Sequence, residues 1–305
     1  MRFLANYIMR GPLQAILVTS VTALLGLVAP LLAPLSYLSG AALGLVTLRF
    51  GLNEAAKVMG GSAVATALLG TLLVGNPLPP LVYALLLWLP VVVVTYSLRR
   101  TVSLPRSLLL AALFGAMLVI GMHVAMTDPA AWWTRALQQA LANATPEQQQ
   151  VLQPVMGEAA RLMTGIVAVA VVLGILVSLL LARWWQAQLY HPGGFRSEFH
   201  ALRLGKVVAL VTAALVVLSG LSWQGSALLG DLLPLLLLLL LLQGLAVVHA
   251  VVARSGASVG WLVAVYVMLA LPVVMAQTAL VLAVAGLVDN WMNFRTFFGS
   301  KDHES

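Results

Sequence analysis

Eight polar side chains lie in or beside long apolar segments, and they are the residues of this chain whose types could do chemistry. If such a segment crosses a membrane, a charge at its centre costs about 2.5–3.5 kcal/mol. Each of these side chains therefore calls for a structural or a functional reason, such as an ion pair, a proton relay or a substrate contact. The candidate functional polar residues are Arg49, Glu54, Lys57, His123, Gln243, His249, Asp289 and Arg295.

The first three of these residues mark a polar corner between two apolar segments. Glu54 and Lys57 are three positions apart and can pair on one face of a helix. Arg49 and Gly51 lie just before them. Two interpretations remain open, namely stop-transfer charges that satisfy one another or a functional corner at the cytoplasmic face.

The histidines and the aspartates allow simpler roles as well. His123 and His249 suit hydrogen bonds between helices better than a metal site, because no His-x-x-x-His or Glu-x-x-His spacing accompanies them. Asp231 and Asp289 lie at segment ends, where we expect water to reach them. Arg295 follows Asp289 by one or two helical turns, so the two can form an ion pair, and Asp289 is the better functional candidate of the two aspartates.

The groups that usually carry catalysis do not form a pattern in this sequence. No nucleophile stands near a base, no carboxylates are paired within an apolar segment, and no glycine-rich phosphate loop is present. The chain has no cysteine, which excludes disulfides, thiolate catalysis and cysteine-based zinc or iron–sulfur sites. We therefore expect a protein that is not an enzyme and that holds no cofactor and no metal.

The elements that must position these residues are membrane helices. Of 305 residues, 62% are hydrophobic and 8% are charged, whereas a soluble domain carries about 25% charged residues. Apolar segments of about 20 residues match the thickness of a hydrocarbon core. We predict an all-α, polytopic transmembrane helix bundle of about 8–9 spans in a single integral membrane domain, 1–305. The candidate spans are 12–30, 31–48, 54–75, 78–98, 105–126, 159–183, 206–223, 228–253 and 259–288.

Two of these spans carry signals for packing. Ser36, Gly40 and Gly44 form a stripe of small residues in the second span, which lets another helix approach closely. The last span contains Pro272 near its middle, so it is either one tilted, kinked helix or two half-spans.

The basic residues predict the orientation. With the N-terminus in the cytoplasm, the inside loops carry Arg2, Arg10, Arg49, Lys57, Arg99, Arg100, Arg106, Arg183, Arg196, Arg203, Lys206 and Arg254, and the outside loops carry Arg135 and Arg161. This positive-inside bias predicts a multi-pass membrane protein with a cytoplasmic N-terminus. An unbroken last span would put the C-terminal tail outside, and a broken one would put it inside. The basic residues form no contiguous face, so nucleic acid is not an expected partner.

Two polar excursions interrupt the spans. The outer one, 127–158, is predicted to form short interfacial helices, with Trp132 and Trp133 at the headgroup level and a capping box that begins at Thr145. It is either a lid over an outward-facing cavity or an interfacial hairpin. The inner one, 183–206, is predicted to be an amphipathic cytoplasmic loop that lies in the interface or docks a cytoplasmic protein. Its candidate docking residues are Trp185, Phe195, Arg196, Phe199 and Arg203.

Three stretches together resemble a known family. They are Leu-Arg-Phe-Gly at 48–51, the tryptophan pair with Pro-Gly-Gly-Phe and Glu-Phe-His-Ala-Leu-Arg-Leu within 184–204, and Gln-Gly at 243–244 through Gly-Leu-Val-Asp to Phe-Arg at 294–295. This combination resembles the YybS-like family of predicted bacterial inner-membrane proteins. The family is distantly similar to the substrate-binding subunits of energy-coupling-factor transporters and to the rod-shape protein MreD. The resemblance implies a helical membrane bundle and no settled activity.

Two functions follow from these features. The first is a membrane-embedded binding or transport subunit for a small-molecule ligand, and the second is a scaffold or assembly protein that recruits envelope or cytoplasmic partners. They differ in one expected feature. A binding subunit brings His123, Gln243, His249 and Gln277 to one cavity, whereas a scaffold leaves them in separate helix contacts.

Overall fold

The computed structural model describes residues 2–142, 144–221 and 227–297, and every regular element in these ranges is helical. The first eight α-helices are α1 (Arg2–Ile8), α2 (Pro12–Val28), α3 (Ser36–Phe50), α4 (Leu52–Val74), α5 (Leu78–Tyr83), α6 (Leu89–Thr101), α7 (Leu104–Ala125) and α8 (Pro129–Leu141). The others are α9 (Pro146–Leu152), α10 (Met156–Tyr190), α11 (Gly194–His200), α12 (Lys206–Leu221), α13 (Ala227–Ser255), α14 (Gly260–Ala270), α15 (Pro272–Met292) and α16 (Phe294–Phe297). The all-α prediction is confirmed.

Seven helical segments are long and apolar enough to cross a membrane. They are Leu32–Phe50, which contains α3 and most of the 3₁₀ turn before it, α4, Leu81–Thr101, which contains α6 and the π-helical turn before it, α7, Pro146–Tyr190, which contains α10, and then α13 and α15. The shorter apolar helices α2, α12 and α14 accompany them. The chain is therefore a multi-pass membrane protein whose surroundings are a lipid bilayer. The span predicted for 206–223 is the described helix α12 up to residue 221, and residues 222–223 lie outside the described ranges.

The predicted span at 259–288 is two helices of unequal length. Leu271 between them is extended, with φ −86° and ψ 115°, and Pro272 is the first residue of α15. Proline disfavours helical geometry in the residue before it, so the break falls where the sequence requires it. With 21 residues, α15 is long enough to span, whereas α14 has 11 residues and extends about 16 Å. The two-segment alternative is the correct one, although only α15 reaches spanning length.

Close helix packing occurs at the predicted stripe of small residues. A side-chain carbon on Gly40 would meet Ser178, and one on Gly44 would meet Ala182 and Thr95. The Ser178 hydroxyl also donates to the backbone carbonyl of Tyr37, at 3.0 Å. The stripe on α3 therefore lets α6 and α10 approach, as predicted.

The contacts divide the described chain into two compact units, one from the ranges 1–111 and 171–202 and the other from 112–170 and 203–305. The boundaries fall inside α7 and α10, so the units are interleaved along the sequence. The single domain expected over 1–305 stays a prediction. The candidate sites below each lie within one unit.

The outer excursion folds as two short helices, as predicted. Asp128 caps α8 by accepting from the Ala131 N–H at 3.0 Å. Thr145 and Gln148 form a reciprocal capping box at the start of α9. The described residues of α8 and α9 include no buried side chain. The indole of Trp133 nevertheless donates to Thr164 of α10 at 3.0 Å, which fastens α8 to the helix that follows the excursion.

Candidate functional site

The polar corner near Gly51 consists of charges that have partners. Lys57 Nζ lies 2.7 Å from Glu54 Oε1, and both side chains are exposed. The guanidinium of Arg49 lies 4.4 Å from the centre of the Tyr190 ring. Arg99 donates to the carbonyls of Thr47 at 3.2 Å and Leu48 at 3.3 Å, and so caps the end of α3. Sequence reasoning missed Arg99, since no local spacing links it to a helix about 50 positions earlier. The arrangement favours charges that satisfy one another.

His123 pairs with a buried aspartate, a contact that the sequence did not indicate. Its Nε2 lies 3.5 Å from Asp231 Oδ2, and its Nδ1 lies 3.1 Å from the Val119 carbonyl. Asp231 Oδ1 accepts from the Gly165 N–H at 2.9 Å. The expectation that water reaches Asp231 is wrong, because the residue is 5% exposed. The reason is that Gly165 on α10 has no side chain, so α13 comes close enough for the carboxylate to reach its backbone.

Gln243, His249 and Gln277 were expected to join His123 at one cavity in a binding subunit, but they have separate environments. His249 Nε2 lies 2.9 Å from the Tyr266 hydroxyl. Gln277 is exposed. Gln243 is fully buried and binds Asp289. The four residues therefore have separate environments and do not converge on one cavity.

Asp289 is the centre of the largest buried polar cluster in the described ranges of 112–305. Its Oδ2 lies 3.2 Å from Arg295 Nη2 and 3.7 Å from Arg203 Nε, and it accepts from Gln243 Nε2 at 3.3 Å. Arg203 also donates to the backbone carbonyl of Asp289 at 2.6 Å. The predicted pair of Asp289 and Arg295 forms. The expectation that water reaches Asp289 is wrong, because Asp289 is 0% exposed.

Side chains of α13 and α15 also cap the start of α12. The Leu204 N–H donates to Gln243 Oε1 at 2.9 Å, and the Gly205 N–H donates to Asn290 Oδ1 at 3.1 Å. The first N–H groups of a helix and of the segment that enters it lack partners within the helix, so outside acceptors stabilise its start. Gly205 has a φ of +94°, which glycine adopts without strain.

The cluster carries more positive than negative charge. Arg254 Nη1 donates to the backbone carbonyl of Arg295 at 2.5 Å, which adds a third arginine to a cluster whose one carboxylate among the described residues is Asp289. Burial lowers the pKa of Arg295, Asp289 opposes this shift, and Arg203 and Arg254 add to it. Arg203, Arg254, Arg295 and Asp289 are called the arginine cluster below.

The arginine cluster connects the end of α13 with the residues that follow α15. Arg254 lies in the last turn of α13 and Arg295 follows α15, and the Arg254 guanidinium donates to the Arg295 carbonyl. The hydrogen bond therefore holds the end of α13 close to the residues that follow α15.

The inner loop presents fewer docking residues than expected. Trp185 is fully buried and offers no surface, because it packs inside the unit as part of α10. Arg203 belongs to the arginine cluster. Phe195 and Phe199 are half-buried and stacked on each other at 5.9 Å, and Arg196 is exposed. Arg183 forms a two-point ion pair with Glu198, with Nε 2.9 Å from Oε2, which fastens α11 to the end of α10.

Two of the grooves have mostly apolar linings. A groove of about 390 Å³ is lined by residues of α13, α14 and α16, and one of about 190 Å³ lies beside Arg10 and Glu54. Among the described residues, no group of three histidine or acidic side chains is placed to hold a metal ion.

Comparison of the chain with protein-family models, with curated proteins and with solved structures gives no match. The resemblance to the YybS-like family therefore rests on the stretches quoted above and stays a prediction.

Proposed function

We propose that this protein is a scaffold or assembly protein of a bacterial inner membrane, which recruits a cytoplasmic partner and catalyses no reaction. The observation that supports the proposal is that the polar side chains of the apolar helices bind one another in separate pairs. His123 binds Asp231, Gln243 binds Asp289, and His249 binds Tyr266. A polar substrate needs several such groups aimed at one cavity, whereas separate contacts between helices give a rigid framework.

The recruiting surface in this proposal is α11. The ion pair of Arg183 and Glu198 fixes the helix at the end of α10, so the surface is ordered before a partner binds. Arg196 is exposed on it, beside the half-buried pair Phe195 and Phe199. Exposed arginine next to aromatic side chains is typical of residues that dominate binding energy in protein interfaces.

A photocrosslinking amino acid at position 196, in the full chain in its own membrane, tests the proposal. We expect one defined protein to crosslink there, and the same protein to co-purify in mild detergent. Arg196→Ala weakens this co-purification, because the exposed guanidinium is lost while the ion pair of Arg183 and Glu198 that holds α11 is kept. Arg106→Ala is the matched control, since Arg106 is exposed and predicted to lie on the same side. A bound small molecule without any protein crosslinked at position 196 contradicts the scaffold.

A binding or transport subunit is the second candidate, and the pair of His123 and Asp231 favours it. Ionisable residues within membrane segments commonly mark ion or substrate pathways. In that case Asp231→Asn abolishes ligand binding or uptake while the protein stays folded, as judged by its thermal unfolding in detergent. For a scaffold the same variant leaves the partner bound at position 196.

A further inference from the structure

An apolar groove lies directly beside the arginine cluster. It has a volume of about 390 Å³ and is lined mainly by Val247, Val251, Ser255, Trp261, Val265 and Phe294, and it is called the valine groove below. Its volume falls in the range of ligand pockets, about 300–1,000 Å³. The lining comes from α13, from α14 and from Phe294 at the start of α16, all within one compact unit.

Residues of the groove and residues of the cluster are neighbours in the sequence. Arg254 immediately precedes Ser255, and Arg295 immediately follows Phe294, so each cation is the neighbour of a residue that lines the groove. Arg254 is exposed, and its bond to the Arg295 carbonyl uses one of its five N–H donors. Arg203 is 38% exposed at its side chain. Arg254 thus adjoins one end of the apolar groove, and Arg203 is a second accessible arginine of the same cluster.

The charges of the cluster define the chemistry of an occupant. Among the residues that the structure describes, Asp289 is the one carboxylate bound to these arginines, and it is fully buried, so the accessible face of the described cluster is cationic. An occupant that fits both parts has an anionic head and a long apolar tail. Trp261 is 66% exposed at the rim, and tryptophan favours the headgroup level of a bilayer.

We propose that the valine groove and the arginine cluster form a binding site for one anionic phospholipid of the surrounding bilayer. The phosphate contacts Arg254 and Arg203, and an acyl chain lies along Val247, Val251 and Val265. The arginine geometry suits phosphate, because the guanidinium offers parallel N–H donors to its oxygens. This inference is independent of the proposed scaffold function.

Native mass spectrometry of the full chain in detergent tests the site. The protein is titrated with phosphatidylglycerol and, separately, with phosphatidylcholine of the same acyl chains. Inorganic phosphate and glycerol phosphate are added as headgroup competitors without a tail. We expect one phosphatidylglycerol to bind tightly, phosphatidylcholine to bind more weakly, and neither soluble anion to displace the lipid, because neither fills the groove.

Two variants separate the two halves of the site. Arg254→Ala removes an accessible cation and is expected to weaken phosphatidylglycerol binding about fivefold, with little effect on phosphatidylcholine. Ala257→Phe fills the groove from the connection between α13 and α14, and is expected to weaken both lipids. Arg100→Ala is the matched control, since Arg100 is an exposed arginine in the last turn of α6 as Arg254 is in that of α13.

Several outcomes overturn the proposal. Equal binding of the two lipids removes the role of the cations, and displacement of phosphatidylglycerol by inorganic phosphate alone indicates a free-anion site. A dimer that binds no lipid indicates that a second copy covers the groove. Binding that is unchanged in both Arg254→Ala and Ala257→Phe places the lipid elsewhere.

Discussion

At the scale of the residue, Asp289 is the side chain on which the most interactions depend. It neutralises Arg295, which is 4% exposed, and it also binds Arg203 and Gln243. The spacing of six residues made the pairing with Arg295 predictable. The contributions of Gln243 and Arg203 were not predictable, because they come from positions 46 and 86 residues away in sequence. Local periodicity holds no information about which distant helix supplies a partner.

Replacement of Asp289 by alanine leaves Arg295 buried without its counter-charge. Breaking a buried ion pair in this way costs about 3–5 kcal/mol. We expect Asp289→Ala to lower the thermal unfolding temperature in detergent markedly. Glu54→Ala is the control, because it breaks an exposed pair, for which about 0–1 kcal/mol is usual. Equal unfolding temperatures for the two variants would show that the cluster does not stabilise the fold.

At the scale of the element, α13 and α15 approach as closely as their backbones allow. A side-chain carbon on Gly244 would overlap the carbonyl oxygen of Leu282, and one on Gly286 would overlap that of Leu240. The stripe of Ser36, Gly40 and Gly44 could be predicted because its members recur every four residues on one helix. The crossing at Gly244 and Gly286 involves a single glycine on each helix, so no spacing within either helix indicates it.

Gly244→Ala is therefore expected to destabilise the protein, although alanine favours helix more than glycine does. Overpacking costs about 1–3 kcal/mol, and the obstacle here is backbone that cannot rotate away. Gly220→Ala on α12 is the control, because nothing lies within 4 Å of the added carbon. We expect this control to be neutral or slightly stabilising in the same unfolding measurement. A stabilised Gly244→Ala variant would contradict the close crossing.

At the scale of the whole molecule, composition and charge bias determine what the sequence can predict. Low charge and runs of apolar residues predicted the membrane helices, whereas Pro272 left either one kinked helix or two half-spans open for the last segment. The separation of the polar residues into independent contacts depends on helix packing and was left open by the sequence. The proposed scaffold requires in addition that α11 lies on the cytoplasmic side and the excursion 127–158 on the other.

The most direct test of this account is the sidedness of two single cysteines. The chain has no cysteine of its own, so Arg196→Cys and Glu147→Cys each create a unique thiol at an exposed position. A membrane-impermeant maleimide is applied to intact spheroplasts and again after permeabilisation. The account predicts that Glu147→Cys is labelled at once and that Arg196→Cys is labelled only after permeabilisation. Labelling of Arg196→Cys in intact spheroplasts would contradict a cytoplasmic recruiting surface on α11.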